Sequence, residues 1–402
     1  MESFRDLRPE VRQYFIITGN YWAFTLTDGA LRMLIVLYFH NLGYSPFDLA
    51  MLFLFYEFFG VVTNLLGGWL GARIGLNNTM NIGLILQVIA LSLLLVPSVM
   101  LTVPLVMFAQ ALSGIAKDLN KMSAKSAVKH LVSKNDNSRL YSLIALLTGS
   151  KNTLKGVGFF LGGVLLAVIG FEYAIFSMAL TLAVVWIISL LTLRQDLGKA
   201  SKKPKFSHLF SKSKSINYLS AARLFLFGSR DIWFVVALPV YLTSQLNWNH
   251  SLVGAFMAVW IIGYGVIQSF APRLTSNKKH RSKSDGRIAF SWALKLAVIP
   301  MLIAIGLSIN VYSEWILVLG LMIFGIIFAI NSSFHSYLIV KIANEDGVSL
   351  DVGFYYMANA MGRLLGTLLS GFLFQFWGIE ICLIVSTVFI LISALTVKRL
   401  PE

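Results

Sequence analysis

One cysteine, Cys382, stands in 402 residues, so no disulfide within the chain is possible and cysteine usage carries no information about redox compartment. Acidic side chains are scarce as well: 18 Asp and Glu face 33 Lys and Arg, for a formal charge of +15. Charged residues of both signs amount to only 13% of the chain. Catalytic signatures are missing: there is no His-Glu-x-x-His, no Gly-x-Ser-x-Gly and no phosphate loop ending in Gly-Lys-Ser/Thr. An enzyme is therefore not expected, and neither a catalytic residue, a metal nor a cofactor is assigned. Polar segments are too short to form a signalling domain, which argues against a receptor.

What is abundant is apolar sequence, 57% of the chain. Apolar runs of about 20 residues recur from end to end, the length needed to cross roughly 30 Å of hydrocarbon. Twelve spans are expected, near 14–40, 46–71, 79–97, 101–131, 139–169, 172–193, 218–244, 250–271, 287–309, 313–341, 350–376 and 379–397. The fold class is an all-α membrane protein. The charged stretch Met1–Gln13 has no cleavage pattern, so the first span is read as the insertion signal.

The positive charge is placed on alternate loops. One set carries Arg5, Arg8, Arg12, Arg73, Lys134, Arg139, the Lys-rich 194–216 stretch, Arg273 to Arg287, Lys341, Lys398 and Arg399. The other set has no Lys or Arg. The positive-inside rule then puts both termini in the cytoplasm. Topology accounts for the basic loops, so nucleic-acid binding is not expected. The Lys- and Ser-rich stretch divides the spans six and six: an N-terminal half at 1–193, a basic cytoplasmic linker at 194–217 and a C-terminal half at 218–402. A monomer is expected.

Cations also stand inside the spans, where each costs roughly 2.5–3.5 kcal/mol or more at the bilayer centre. Counting inward from the loops at about 1.5 Å per residue places Arg32, Lys117, Lys121, Lys151, Lys155, Arg230 and Arg363 deep, with Asp28, Glu57, Asp118 and Asp231 as the deep acids. Lys117, Lys121 and Lys125 share one helix face at i, i+4, i+8, and Lys151 and Lys155 share another. Like charges so stacked repel and need water, carboxylates or a bound anion. Full pairing still leaves an excess of base, which points to a multivalent anion as guest. Arg suits phosphate or arsenate oxygens bidentately and Lys acts as a point charge.

Each position also has a plainer reading. Asp28 and Arg32, at i, i+4, can satisfy each other. Arg230 adjoins Asp231. Lys125 and Lys295 lie shallow enough to snorkel. Glu57 either neutralises a Lys or carries a proton. Asn331 and His335 read as hydrogen-bonded structural residues. Tyr21, Trp22, Trp233, Trp260 and Tyr264 read as cavity lining or packing.

Between spans two and three, Gly68, Leu70, Arg73 and Gly75 resemble the cytoplasmic loop motif of the major facilitator superfamily, where glycine allows close contact and an Asp–Arg pair latches neighbouring helices. The resemblance implies two six-helix halves around a midplane site, with Gly68, Arg73 and Gly75 as a conformational latch. Ala72 replaces the motif's Asp, so the latch is weaker or uses another partner. Gly158 to Gly163 resembles the antiporter motif of exporters, with Phe159 in place of Pro; ordinary small-residue packing is the competing reading.

Three longer strings, FLFYEFFGVVTNLLGG at 53–68, ALSGIAKDLNKMSAK at 111–125 and LTGSKNTLKG at 147–156, resemble the organoarsenical efflux permeases of bacteria. That resemblance implies export of 1-arseno-3-phosphoglycerate across the inner membrane, arsenate resistance, and a functional link to the glyceraldehyde-3-phosphate dehydrogenase that makes the compound. An organophosphate/phosphate exchanger and a proton-coupled exporter of another small molecule are the alternatives.

Overall fold

The structure, a computed structural model, describes residues 9–42, 52–97, 100–132, 136–193, 197–200, 213–248, 250–275, 285–309, 312–345 and 347–400. The basic positions Arg5, Arg8, Lys134, Arg194, Lys202, Lys203, Lys205, Lys212, Lys278, Lys279, Arg281 and Lys283 lie outside the described residues, as does most of the 194–217 linker.

Eleven helices are formed among the described residues: α1 (Pro9–Asn41), α2 (Leu54–Ile74), α3 (Leu76–Ser92), α4 (Val103–Leu131), α5 (Asn137–Thr192), α6 (Lys214–Phe234), α7 (Ala237–Ser244), α8 (His250–Thr275), α9 (Asp285–Ser308), α10 (Ser313–Ile342) and α11 (Val348–Val397). Among the described residues, seven stretches are long and apolar enough to cross a membrane.

Two of the helices are too long to be single spans. The 56 residues of α5 would run about 84 Å at 1.5 Å per residue. Gly170 interrupts them with φ 78° and ψ 175°, a conformation open to glycine and strained for other residues. Gly378 divides the 50 residues of α11 in the same way, with φ 78° and ψ −175°. Each helix is therefore two spans joined at a glycine.

The opposite happens between α6 and α7. Pro239 lacks the N–H that would bond back one turn, and the ladder opens at Val235 and Val236. Ser370 Oγ accepts from the freed N–H groups of Val236 (3.4 Å) and Ala237 (3.1 Å). The two helices thus make one span with its break satisfied, and the total is twelve transmembrane spans.

The chain forms two compact units: Met1–Leu140, Thr153–Ser211 and Ala343–Met357 in one; Tyr141–Asn152, Lys212–Ile342 and Ala358–Glu402 in the other. In the first, α4 packs against α1, α2 and α3. In the second, α10 packs against α6, α8 and α9. The second core is aromatic: Trp233, Trp260, Phe324 and Phe328 are buried together, and Trp260 Nε1 donates to the Leu321 carbonyl at 2.9 Å. Trp233 and Trp260 are thus packing residues. The outer surface is apolar, with Phe160, Val168, Tyr173 and Leu191 each more than 70% exposed. Hydrocarbon, not water, is the solvent that suits such a face.

Candidate functional site

The first unit gathers its ionic groups where α1, α2 and α4 meet. Glycine at position 60 on α2 leaves room for the Asp118 carboxylate of α4, which would touch any side chain there. Asp118, 2% exposed, is shared by two cations: Lys121 Nζ lies 2.5 Å from Oδ1 and Lys117 Nζ 3.8 Å from Oδ2. Lys117 also sits over the Tyr56 ring at 3.8 Å, and Lys121 over the Tyr356 ring at 4.9 Å. Aromatic faces hold a desolvated ammonium without cancelling its charge.

Arg32 does not form the expected i, i+4 pair with Asp28. Its Nη2 meets Glu57 Oε1 at 3.1 Å, and its guanidinium lies 4.4 Å from the Tyr56 ring. Asp28 instead accepts from the Tyr56 hydroxyl at 2.8 and 2.9 Å. Tyr56 is therefore the hinge of the cluster, touching Asp28, Arg32 and Lys117 at once. Lys125 departs from expectation too. It is buried rather than snorkelling, and its Nζ donates to Tyr356 Oη at 2.5 Å.

The second unit repeats the pattern. Asp231 on α6 is fully buried and shared by two guanidinium groups: Arg230 Nη2 at 2.5 Å and Arg363 Nε of α11 at 3.2 Å. Lys151, in the second unit, and Lys155, in the first, lie half-buried on one face of α5, and Lys155 Nζ is 5.6 Å from the Phe159 ring.

Close helix crossings fix both clusters. A Cβ on Gly158 of α5 would stand 2.5 Å from the Leu26 carbonyl oxygen of α1. A Cβ on Gly366 of α11 would stand 2.6 Å from the Gly228 carbonyl oxygen of α6. These crossings are equivalent. Setting Gly170 on Gly378 also sets Lys155 on Arg363, Gly158 on Gly366, Gly163 on Gly371 and Glu172 on Glu380. An internal repeat thus puts a cation one turn before the crossing glycine in each half. Close packing is the role visible for the Gly158–Gly163 run.

At the loop between α2 and α3, Gly68 packs against the Ser349 carbonyl and Gly353. Arg73 stacks on Trp69 of its own helix at 4.9 Å. Gly75 has φ 99°. Two backbone bonds tie this loop to the chain that follows α5: Leu76 N–H donates to Leu197 O, and Ala200 N–H to Ala72 O, each at 2.8 Å. The start of the linker therefore fastens this loop.

Sequence reasoning missed three polar participants. Tyr56 and Tyr356 were hidden because their partners come from other helices. Arg223 carried a signal: Arg223, Phe227 and Arg230 share a face of α6 at i, i+4, i+7. No group of His, Cys, Asp and Glu suited to a metal occurs among the described residues.

A sequence profile described as Major Facilitator Superfamily matches residues 17–284 and 219–402. The chain belongs to the major facilitator superfamily. Solved structures share its fold across nearly the whole length. The human organic anion transporter MFSD10 (TETRAN) has a TM-score of 0.76 at 15% identity, covering 97% of this chain and 100% of its own. The E. coli fucose:proton symporter FucP gives 0.77 at 10%, covering 98% and 100%. A bacterial homologue of the iron transporter ferroportin, in an outward-facing state, gives 0.76 at 12%, covering 98% and 99%. No curated protein matches in sequence. Superfamily membership makes this chain a multi-pass membrane transporter, and the cargoes named for those structures differ too widely for the fold to choose among them.

Proposed function

We propose that this superfamily member exports a multivalent organic anion by alternating access, and that the cargo is 1-arseno-3-phosphoglycerate. The observation that carries the charge of the cargo is the sharing of one carboxylate by two cations, at Asp118 and again at Asp231. Each such group keeps a net positive charge in a poorly hydrated place, and a bound anion lowers its energy. Lys117, Lys121 and Arg32 would serve one end of the guest. Arg230, Arg363, Lys151 and Lys155 would serve the other. A guest with phosphate at one end and acyl arsenate at the other needs two such grips. Support for this particular guest comes from the Lys-rich strings that resemble bacterial organoarsenical efflux permeases.

In a bacterial inner membrane, efflux of an anion runs down the potential by about 2.3 kcal/mol per charge per 100 mV. Hydrolysis outside to arsenate and 3-phosphoglycerate would prevent return, so a coupling ion is not required. The test is arsenate resistance in cells expressing wild type or Lys151→Ala, with and without glyceraldehyde-3-phosphate dehydrogenase. Resistance that needs both the dehydrogenase and Lys151 supports the reading. Resistance independent of the dehydrogenase points to another cargo. Counterflow of labelled phosphate would favour the organophosphate/phosphate exchanger.

A further inference from the structure

A cleft of about 300 Å³ lies in the second unit, where the end of α7 meets the bend in α11. Tyr241, Ser244 and Gln245 line one side; Phe374, Ile379 and Glu380 line the other. No Lys or Arg borders it, so an anionic guest has no grip here. Glu380 is the one charged side chain in the lining, and it is half-buried. Its carboxylate folds back over the bend: a Cβ on Gly378 would stand 2.9 Å from Oε2. Among the described residues nothing gives that carboxylate a hydrogen bond or an ion pair. The Tyr241 and Ser244 hydroxyls and the Gln245 amide likewise bond no other described side chain.

The two halves of the chain differ at this point. Setting Gly170 on Gly378 sets Phe171 on Ile379 and Glu172 on Glu380. The Leu26 carbonyl faces Gly158 as the Gly228 carbonyl faces Gly366, so Tyr38 corresponds to Val240. In the first half Tyr38 stacks on Phe171 with ring centroids 4.1 Å apart, and Glu172 is exposed. In the second half both rings are replaced by smaller aliphatic side chains, and the carboxylate borders a cleft. The depth of that cleft follows from the fold. The α6–α7 span runs from the linker to the cleft, and the last span runs from the cleft to the C-terminus. Phe372, Phe376 and Trp377 cluster on α11 beside it with centroids 5.2–5.8 Å apart, each more than half exposed. Exposed aromatic rings at the end of a span mark the level of the lipid headgroups.

We propose that this cleft holds the headgroup of an ethanolamine phospholipid from the leaflet remote from the linker. The chemistry it recognises is a primary ammonium. Glu380 supplies the opposite charge, with Tyr241 Oη and Gln245 Oε1 as further acceptors. The Ser244 hydroxyl and the Gln245 amide N–H remain to donate to the phosphate ester of the same headgroup. The C-terminus of α7 lies here as well, and the negative end of a helix favours a cation. A choline headgroup has no N–H to give, and Phe374 alone makes no aromatic cage. A free amine offers the same ammonium but no acyl chains, which the exposed Val240, Phe372 and Phe376 meet at this level. The leaflet therefore supplies the affinity that one carboxylate lacks. The occupant belongs to the bilayer and not to the cargo, so the site stands whichever anion is carried.

Full-length protein in detergent is titrated with phosphatidylethanolamine or with phosphatidylcholine of the same acyl chains, and bound lipid is counted by native mass spectrometry. Wild type, Glu380→Gln and Glu172→Gln are compared, with melting temperatures to confirm that each is folded. We expect wild type to retain the ethanolamine lipid in preference to the choline lipid. Retention should be roughly tenfold weaker in Glu380→Gln, the worth of a charge-assisted hydrogen bond. Glu172→Gln removes a carboxylate from the equivalent, exposed place and should bind as wild type does. Free ethanolamine in large excess should leave the bound lipid in place. Equal retention of the two lipids by wild type overturns the site, as does a preference that survives in Glu380→Gln. Equal loss in both variants overturns it too, because general surface charge would then explain the binding. Displacement by ethanolamine would assign the cleft to a soluble amine and overturn the lipid as its occupant.

Discussion

Asp231 Oδ2 accepts from Arg363 Nε at 3.2 Å across the α6–α11 crossing, while Oδ1 of the same carboxylate holds Arg230. One acid answers two bases, and it does so with no exposed surface. Removing it leaves two guanidinium groups facing each other. Asp231→Asn should cost about 3–5 kcal/mol, the usual penalty for stranding a buried charge. Adding Arg230→Met to that variant should recover part of the loss. Thermal unfolding in detergent checks both, and equal stability of single and double variants would show that the charges are not coupled.

Tyr56 offers a finer cut. Tyr56→Phe removes the hydroxyl given to Asp28 and keeps the ring beneath Lys117 and Arg32. The expected cost is about 1–3 kcal/mol for an unmet buried carboxylate. Tyr56→Leu should cost a further ~0.5–2 kcal/mol through loss of the cation–π contacts. Unfolding of the two variants side by side separates hydroxyl from ring.

Glycine-by-glycine substitution tests the repeat. Gly158→Ala and Gly366→Ala place a methyl against a carbonyl oxygen, whereas Gly163→Ala meets nothing nearer than Leu37 at 3.8 Å and Gly371→Ala meets nothing within 4 Å. The first pair should lose roughly 1–3 kcal/mol and the second pair should stay near wild type. Yield and melting temperature of the four variants read this directly.

Ser370→Ala should destabilise the α6–α7 break by about 1–3 kcal/mol, because the Val236 and Ala237 N–H groups share that one hydroxyl. Hydrogen exchange at those two amides should rise while exchange along α10 stays unchanged.

The spans were legible in the sequence because hydrocarbon thickness fixes their length, and the expected breaks between spans 139–169 and 172–193 and between spans 350–376 and 379–397 fall on Gly170 and Gly378, both of positive φ. The charges within the helices were legible for the same reason: their positions follow from counting along the chain. Their partners were not. The i, i+4 rule offered Arg32 to Asp28, but Glu57 and Tyr56 approach from α2 and win. Lys125 looked free to snorkel because nothing in its own helix covers it; Tyr356, more than two hundred residues on, does. Asn331 and His335 looked like bonded structural residues, and only three-dimensional packing reveals their unmet atoms. Local periodicity gives depth and face, whereas pairing depends on which helices touch.

The most direct test of the charge argument is equilibrium binding of 3-phosphoglycerate, a stable compound with an anionic group at each end, to purified full-length protein. Wild type, Lys117→Gln/Lys121→Gln and Arg230→Gln/Arg363→Gln are compared, with an organic cation as control ligand. The account predicts tenfold or greater weakening in each double variant and no binding of the cation. Equal affinity in all three proteins, or preference for the cation, would contradict it.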